Sequence, residues 1–234
     1  MADFILYFTE LPIFGIVLTL SAFAAGRWIY SKLPLSFLHP VLTASVIIIV
    51  FLELCNIDID AYQNGGRFIS FLLGPATVAL ALPLYQKIDL LKRHFIIILV
   101  AIAAGAVSSV ISVVLLSRAF GLPQQLALSL VPKSITTPIA VEASAKLGGF
   151  PPVTAIAVII TGITGAVAGP LLLKLLRVNS PAAKGLAMGT SSHAIGTSRA
   201  LEMGQTEGAL SSLSIGLAGI ITVVSAPFLI GILF

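Results

Sequence analysis

The sequence predicts an all-α polytopic membrane protein, and its composition and its apolar segment lengths both lead to this fold class. Of the 234 residues, 58% are hydrophobic and 9% are charged, and the mean hydropathy is +1.10. Soluble domains carry about 25% charged residues. The composition therefore excludes a soluble enzyme, a nucleic-acid-binding domain and a disordered chain. The length predicts a single transmembrane domain over residues 1–234.

Six stretches between successive charges have the length of a transmembrane helix. Two further apolar regions, 119–147 and 185–198, are interrupted by charges, prolines or hydroxyl residues. Irregular backbone cannot face lipid, so we expect these two regions to form broken or re-entrant helices beside a cavity. The total is seven or eight hydrophobic segments, and inverted repeats are one arrangement that this pattern allows. The six stretches are 11–26, 33–52, 68–86, 95–117, 147–173 and 208–234.

The charge distribution predicts the orientation in the membrane. Acidic residues precede the first stretch and basic residues follow it, which places the N-terminus outside by the positive-inside rule and the basic loop 87–93 inside. A later basic cluster lies outside if segment 119–147 crosses the membrane, and inside if that segment is re-entrant. The charges favour the re-entrant alternative. The residues of this cluster are Lys174, Arg177 and Lys184.

The first candidate site is the segment 132–138, in which two prolines bracket one lysine and three hydroxyl residues. The prolines interrupt helical hydrogen bonding, and a helix that begins after the break points its positive end toward it. Free N–H groups, hydroxyls and an ammonium together form a site for a small anion. Alternatively, the lysine extends from a helix end to the lipid headgroups. The candidate substrate-binding residues are Lys133, Ser134, Thr136 and Thr137, and the helix breaks are Pro132 and Pro138.

The second candidate site is the segment 189–199, in which Gly-Thr-Ser occurs twice. On a helix, Thr190, His193 and Thr197 would share one polar face, with Ser192 nearby and with Gly189 and Gly196 allowing close backbone approach. An intramembrane histidine can exchange a proton or bind a substrate hydroxyl. The alternative is a seam of small residues that packs helices and contains a hydrogen-bonded histidine.

Three further residues are weaker candidates. Glu142 is a carboxylate that could couple transport to an ion or pair with Lys146 one turn later. Arg199 could bind a carboxylate or mark a helix end. Pro75, after Gly74, falls within a predicted span and marks a third helix break.

The sequence contains no signature of an enzyme, a metal site or a cofactor site. Adjacent pairs such as Ser192 and His193 do not face each other on a helix, so they do not form a nucleophile and its base. The single cysteine, Cys55, excludes a cysteine-based metal site and an intrachain disulfide. We therefore expect a protein without catalytic activity, cofactor or nucleic-acid partner.

With these segments identified, the chain resembles the LrgB/CidB family of bacterial membrane proteins, which includes YohK-like proteins. It is also similar to the C-terminal half of the plastid glycolate/glycerate translocator. The resemblance covers nearly the whole chain and depends on residues 131–140, 185–197 and 75–85. It implies that the prolines, glycines and polar residues singled out in the first two of these segments, and Pro75, are motif positions. The roles given to them come from the chemistry of the residues.

The resemblance implies two functions of different classes. One is transport of small monocarboxylates of the glycolate, glycerate, lactate or pyruvate type. The other is antiholin-like regulation of murein hydrolase export and autolysis. It also implies a separate small holin-like partner of the LrgA/CidA type in the lipid bilayer.

The main prediction is a multi-pass transporter in the bacterial inner membrane, working by alternating access with the option of proton coupling. Lys133, Thr136 and Thr137 would neutralise the substrate carboxylate. His193 and Thr190 would bind its hydroxyl or keto group. Small-residue seams favour a homodimer.

Overall fold

A computed structural model describes residues 9–33, 38, 40–72, 75, 78–79 and 81–234. These residues are predominantly helical and contain no strand, which confirms the all-α fold class. They group into two compact units, Met1–Ala79 and Leu80–Phe234. The described helices that are long and apolar enough to cross a membrane are Pro12–Lys32, Leu91–Ala119, Pro151–Leu175 and Gln205–Leu233.

The first unit contains α1 (Pro12–Lys32), α2 (Pro40–Leu54) and α3 (Ile59–Phe71). Glycines allow α1 and α3 to touch, because a Cβ on Gly65 would overlap the Pro12 carbonyl oxygen. The Thr19 and Tyr62 hydroxyls join the same two helices at 3.0 Å.

The second unit contains every residue of the two interrupted motifs. Its long helices are α5, α8 and α10, and the shorter pieces lie between them. Prolines begin several of these helices, at the positions where a helix needs no N–H donor. The elements are α4 (Ala81–Gln86), α5 (Ile88–Ala119), α6 (Gln124–Leu130), α7 (Thr137–Leu147), α8 (Pro151–Leu175), α9 (Pro181–Met203) and α10 (Gln205–Leu233).

Helices α6 and α7 form a re-entrant pair, which we call the first hairpin (124–147). The Thr154 hydroxyl lies 2.9 Å from the Ser129 carbonyl oxygen and 2.6 Å from the Ser144 hydroxyl. In a continuous helix, Ser129 and Ser144 would be about 22 Å apart. The chain therefore turns back between Pro132 and Pro138, so the predicted break is present and the segment has the form of a re-entrant hairpin.

Helix α9 also turns back, and we call it the second hairpin (181–203). Its backbone is non-helical at Ser192 (φ −135°, ψ 17°) and His193 (φ 43°, ψ −138°). A Cβ on Gly196 would lie 2.7 Å from the Met188 carbonyl oxygen. Eight residues along a straight helix span about 12 Å, so the two arms fold against each other.

The chain order places the two hairpins at opposite ends of α8. The first hairpin connects the end of α5 to the start of α8, and the second connects the end of α8 to the start of α10. Since α8 is long and apolar enough to cross a membrane, we expect the hairpins to start from opposite faces. That orientation would place the basic cluster 174–184 on the same face as the basic loop 87–93, and the sidedness of both clusters stays a prediction.

The third predicted break, at Gly74-Pro75, lies largely outside the described residues. Pro75 itself has helical backbone geometry and is exposed. The assignment of residues 1–234 to one domain stays a prediction.

Candidate functional site

A cavity of about 1220 Å³, which we call the Lys133 cavity, lies in the second unit where the two hairpins meet. It follows α5 from His94 to Leu116, about 33 Å along the helix axis. Side chains of α8, of both hairpins and of α10 complete the walls. Both hairpins also contact α8 at the same residue, Val158. Ile135 of the first packs in a buried cluster with Val158, and His193 of the second binds the Val158 carbonyl oxygen.

Lys133 brings a cation to the cavity wall. Its side chain is half-buried, and its ammonium donates to the Ser134 hydroxyl at 3.2 Å. The Ser134 hydroxyl is in turn 3.1 Å from the Ser109 hydroxyl on α5. Within the described residues, no carboxylate pairs with the ammonium. The cavity therefore contains a positive charge that a small anion can neutralise.

Thr190 brings an unsatisfied hydroxyl to the same cavity. Its side chain is 8% exposed, and its Oγ1 has no hydrogen-bond partner in the described part of the protein. Its methyl group faces Gly105 of α5, where a Cβ would come within 2.8 Å. A buried hydroxyl without a partner costs free energy, so this group is available to a ligand.

His193 does not line the cavity. It is 4% exposed, and its Nε2 bonds the Val158 carbonyl oxygen at 2.9 Å. The ring packs against Gly162 of α8, where a Cβ would lie 2.6 Å from Nε2. A Cβ on Gly165, one turn later, would overlap Ser192. His193 thus fixes the tip of the second hairpin to α8, and the two glycines make room for it.

The predicted polar stripe of Thr190, His193 and Thr197 is wrong, because the helix is broken between its members. Thr197 is fully buried and bonds the Ser211 hydroxyl of α10 at 2.7 Å. Gly189 faces the backbone of the same Ser211. Gly196 faces the first arm of its own hairpin, as described above. These residues join the hairpin arms to each other and to α10.

The remaining candidates lie outside the cavity lining. Thr136 occupies the N-cap position of α7 without a side-chain capping bond, and Thr137 and Pro138 begin the helix. Glu142 is exposed on α7, and Arg199 forms an ion pair with Glu202 at 2.5 Å. The structure therefore brings together Lys133, Ser134, Thr190 and Ser192 of the sequence-predicted residues. Among the described residues, no group of three or more His, Cys, Asp or Glu could hold a metal.

Hydroxyl residues of the two long helices α5 and α8 also line the cavity, and the sequence analysis did not identify them. Ser108, Ser109 and Ser112 lie on α5, and Thr161 and Thr164 lie on α8. The signal was present in the stretch 95–117, where serines four residues apart share a helix face. His94, at a kink in α5, lines the cavity as well.

Comparison with known proteins agrees with the arrangement of motifs. The model of the LrgB-like family matches residues 19–232, which include both hairpins. The chain belongs to the LrgB-like family. This confirms the resemblance read from the two motifs.

Several relatives of this LrgB-like chain are 41% identical to it. One is the antiholin-like protein LrgB of Bacillus cereus (strain B4264), aligned over 220 residues, 94% of this chain and 96% of the relative. An antiholin-like protein LrgB of Bacillus anthracis (strain CDC 684 / NRRL 3495) aligns over the same shares. The uncharacterized protein YxaC of Bacillus subtilis (strain 168) aligns over 215 residues, 92% of this chain and 94% of the relative. No solved structure matches the chain.

Proposed function

We propose that this multi-pass membrane protein is an antiholin-like regulator. The observation that carries the proposal is its 41% identity, over 94% of the chain, to proteins named antiholin-like protein LrgB. In this function the protein acts through a separate small holin-like membrane protein of the LrgA/CidA type in the bacterial inner membrane. It restrains murein hydrolase export and autolysis, and it catalyses no reaction.

Deletion of the gene from its host is expected to accelerate autolysis, measured as the loss of turbidity after a detergent challenge. Expression of the wild-type chain should restore the slower rate in cells that retain the holin-like gene. A chain with Gly189→Ala, in which the second hairpin cannot seat against α10, should not restore it. If the deletion leaves the lysis rate unchanged, the regulatory proposal is wrong.

A second candidate function is transport of small monocarboxylates, and the cavity favours it. The Lys133 ammonium would neutralise the carboxylate, and the free Thr190 hydroxyl would bind a hydroxyl or keto oxygen of the same molecule. The serines and glycines of the lining leave room for a small ligand and are too short to fill the cavity themselves.

The opposed hairpins supply an arrangement suited to alternating access. One hairpin reaches the cavity from each face, so movement of either one would open the site to that face alone. Broken helices near the midplane are typical of secondary transporters. In this proposal His193 acts as a positioning residue for the second hairpin, since it contacts α8 and does not line the cavity.

The two functions are compatible in one molecule, because a regulator that binds a small metabolite can respond to its concentration. In the proposed orientation, the N-terminus lies outside and the basic loops lie inside, as the charge distribution predicts. A homodimer is the proposed oligomeric state.

A further inference from the structure

A second cavity, which we call the basic pocket, lies at the end of α8 and the start of α9. Its volume is about 330 Å³. The polar side chains that line it are Lys174, Arg177, Asn179 and Lys184, and no carboxylate lines it. Three cations thus surround one small cavity, and the function proposed above uses none of them.

These cations have no counterion in the described part of the chain, where the ion pair found is that of Arg199 and Glu202. Helix dipoles explain the position of Lys174, because a cation in the last turn of α8 is favourable. They do not explain Lys184, which is half-buried near the positive end of α9. Mutual repulsion in the pocket would be relieved by a bound anion.

Arg177 holds a backbone position where glycine is the common residue. It follows the end of α8 with φ 55°, in the left-handed region. The last carbonyls of α8 are already satisfied, since Arg177 N donates to Lys174 O at 3.1 Å and Val178 N donates to Leu173 O at 2.9 Å. The guanidinium is therefore not needed to cap the helix.

The location of the basic pocket indicates what the anion is. The ends of membrane-spanning helices lie at the level of the lipid headgroups, and basic pockets between such helices bind anionic headgroups. Leu171, Leu175 and Leu176, next to the pocket, are 62%, 74% and 72% exposed. These exposed leucines, close in sequence to Lys174 and Arg177, offer an apolar surface for acyl chains.

We propose that the basic pocket binds a phosphate group, supplied by an anionic phospholipid of the surrounding membrane. Lys174, Arg177 and Lys184 contact the phosphate oxygens, and Asn179 donates a further hydrogen bond. The exposed leucines contact the acyl chains. The site is separate from the Lys133 cavity, so it does not depend on the function proposed for that cavity.

The experiment measures phosphatidylglycerol retained by the purified chain, by native mass spectrometry and by titration in phosphatidylcholine nanodiscs. A Lys174→Gln/Lys184→Gln double variant should bind phosphatidylglycerol about 25-fold more weakly, since each cation near an anionic surface contributes about fivefold. Arg177→Gly should bind about fivefold more weakly. Its thermal midpoint should stay equal or rise, because glycine suits this backbone conformation. This variant keeps the test valid if the double variant does not fold.

Lys92→Gln is the matched control, because Lys92 is an exposed cation of the basic loop 87–93 and lies outside the pocket. It should retain phosphatidylglycerol as the wild type does. Inorganic phosphate, tested separately, distinguishes the two sources. Binding of inorganic phosphate that is equal in strength and equally sensitive to the variants would support a phosphate site that takes a free anion. Equal lipid retention by wild type and both pocket variants, or an equal loss in Lys92→Gln, would overturn the proposal.

Discussion

Lys133→Ala is expected to lower sharply the saturable uptake of labelled glycolate, lactate and pyruvate into proteoliposomes that contain this chain. Among the described residues, Lys133 is the one lysine or arginine that lines the Lys133 cavity. Charge-assisted hydrogen bonds contribute about 1.5–3 kcal/mol, so its loss should weaken anion binding about 10- to 100-fold. The variant should still fold, because Ser134 keeps its hydrogen bond to Ser109 and no carboxylate loses an ion-pair partner.

Two further variants make the uptake experiment specific. Lys146→Ala removes an exposed lysine of the same hairpin, outside the cavity lining, and should leave uptake unchanged. Thr190→Val preserves the shape of the side chain and removes a hydroxyl that has no protein partner, so it should lower uptake without lowering stability. Uptake that persists in Lys133→Ala would show that the Lys133 ammonium extends to the lipid headgroups and does not bind the substrate. Absence of uptake by the wild type, with and without the holin-like partner, would leave regulation as the function.

Gly189→Ala should destabilise the protein, although alanine usually stabilises a helix relative to glycine by up to about 1 kcal/mol. The added Cβ would overlap the Ser211 carbonyl oxygen and lie 2.8 Å from its Cα and from the Ser214 Cβ. These are mainly backbone atoms of α10, which cannot rotate away. Overpacking of this kind costs about 1–3 kcal/mol. The measurement is the thermal midpoint of the purified chain, followed by size-exclusion chromatography.

Gly216→Ala is the matched control on α10, since a Cβ there would meet no atom within 4 Å. It should keep or raise the midpoint. A Gly189→Ala chain as stable as this control would mean that the second hairpin does not pack against α10 as described.

The first hairpin could be predicted from the sequence because its break is encoded locally. Pro132 and Pro138 interrupt helical hydrogen bonding whatever surrounds them. The sequence left open whether the segment continues straight or turns back. The fold-back is shown by Thr154, which reaches both arms from α8. A contact between residues so distant in sequence leaves no periodic signal.

The break of the second hairpin could not be located in the same way. The break falls at Ser192 and His193, neither of which is a proline or a glycine. A regular helical period would place His193 beside Thr190. The bend is held by tertiary contacts, namely the bond from His193 to Val158 and the space beside Gly162. Tertiary packing therefore overrides the local pattern, and it moves His193 out of the cavity while leaving Thr190 within it.

In the architecture proposed for this protein, two re-entrant hairpins enter from opposite faces and meet at the Lys133 cavity. Because the sequence has one cysteine, a Cys55→Ser chain accepts single reporter cysteines at exposed positions. A membrane-impermeant thiol reagent applied to oriented membranes should label Gln124→Cys and Lys146→Cys from the same face, and Asn179→Cys from the other. Labelling of Gln124→Cys and Lys146→Cys from opposite faces would contradict this architecture, because segment 124–147 would then cross the membrane.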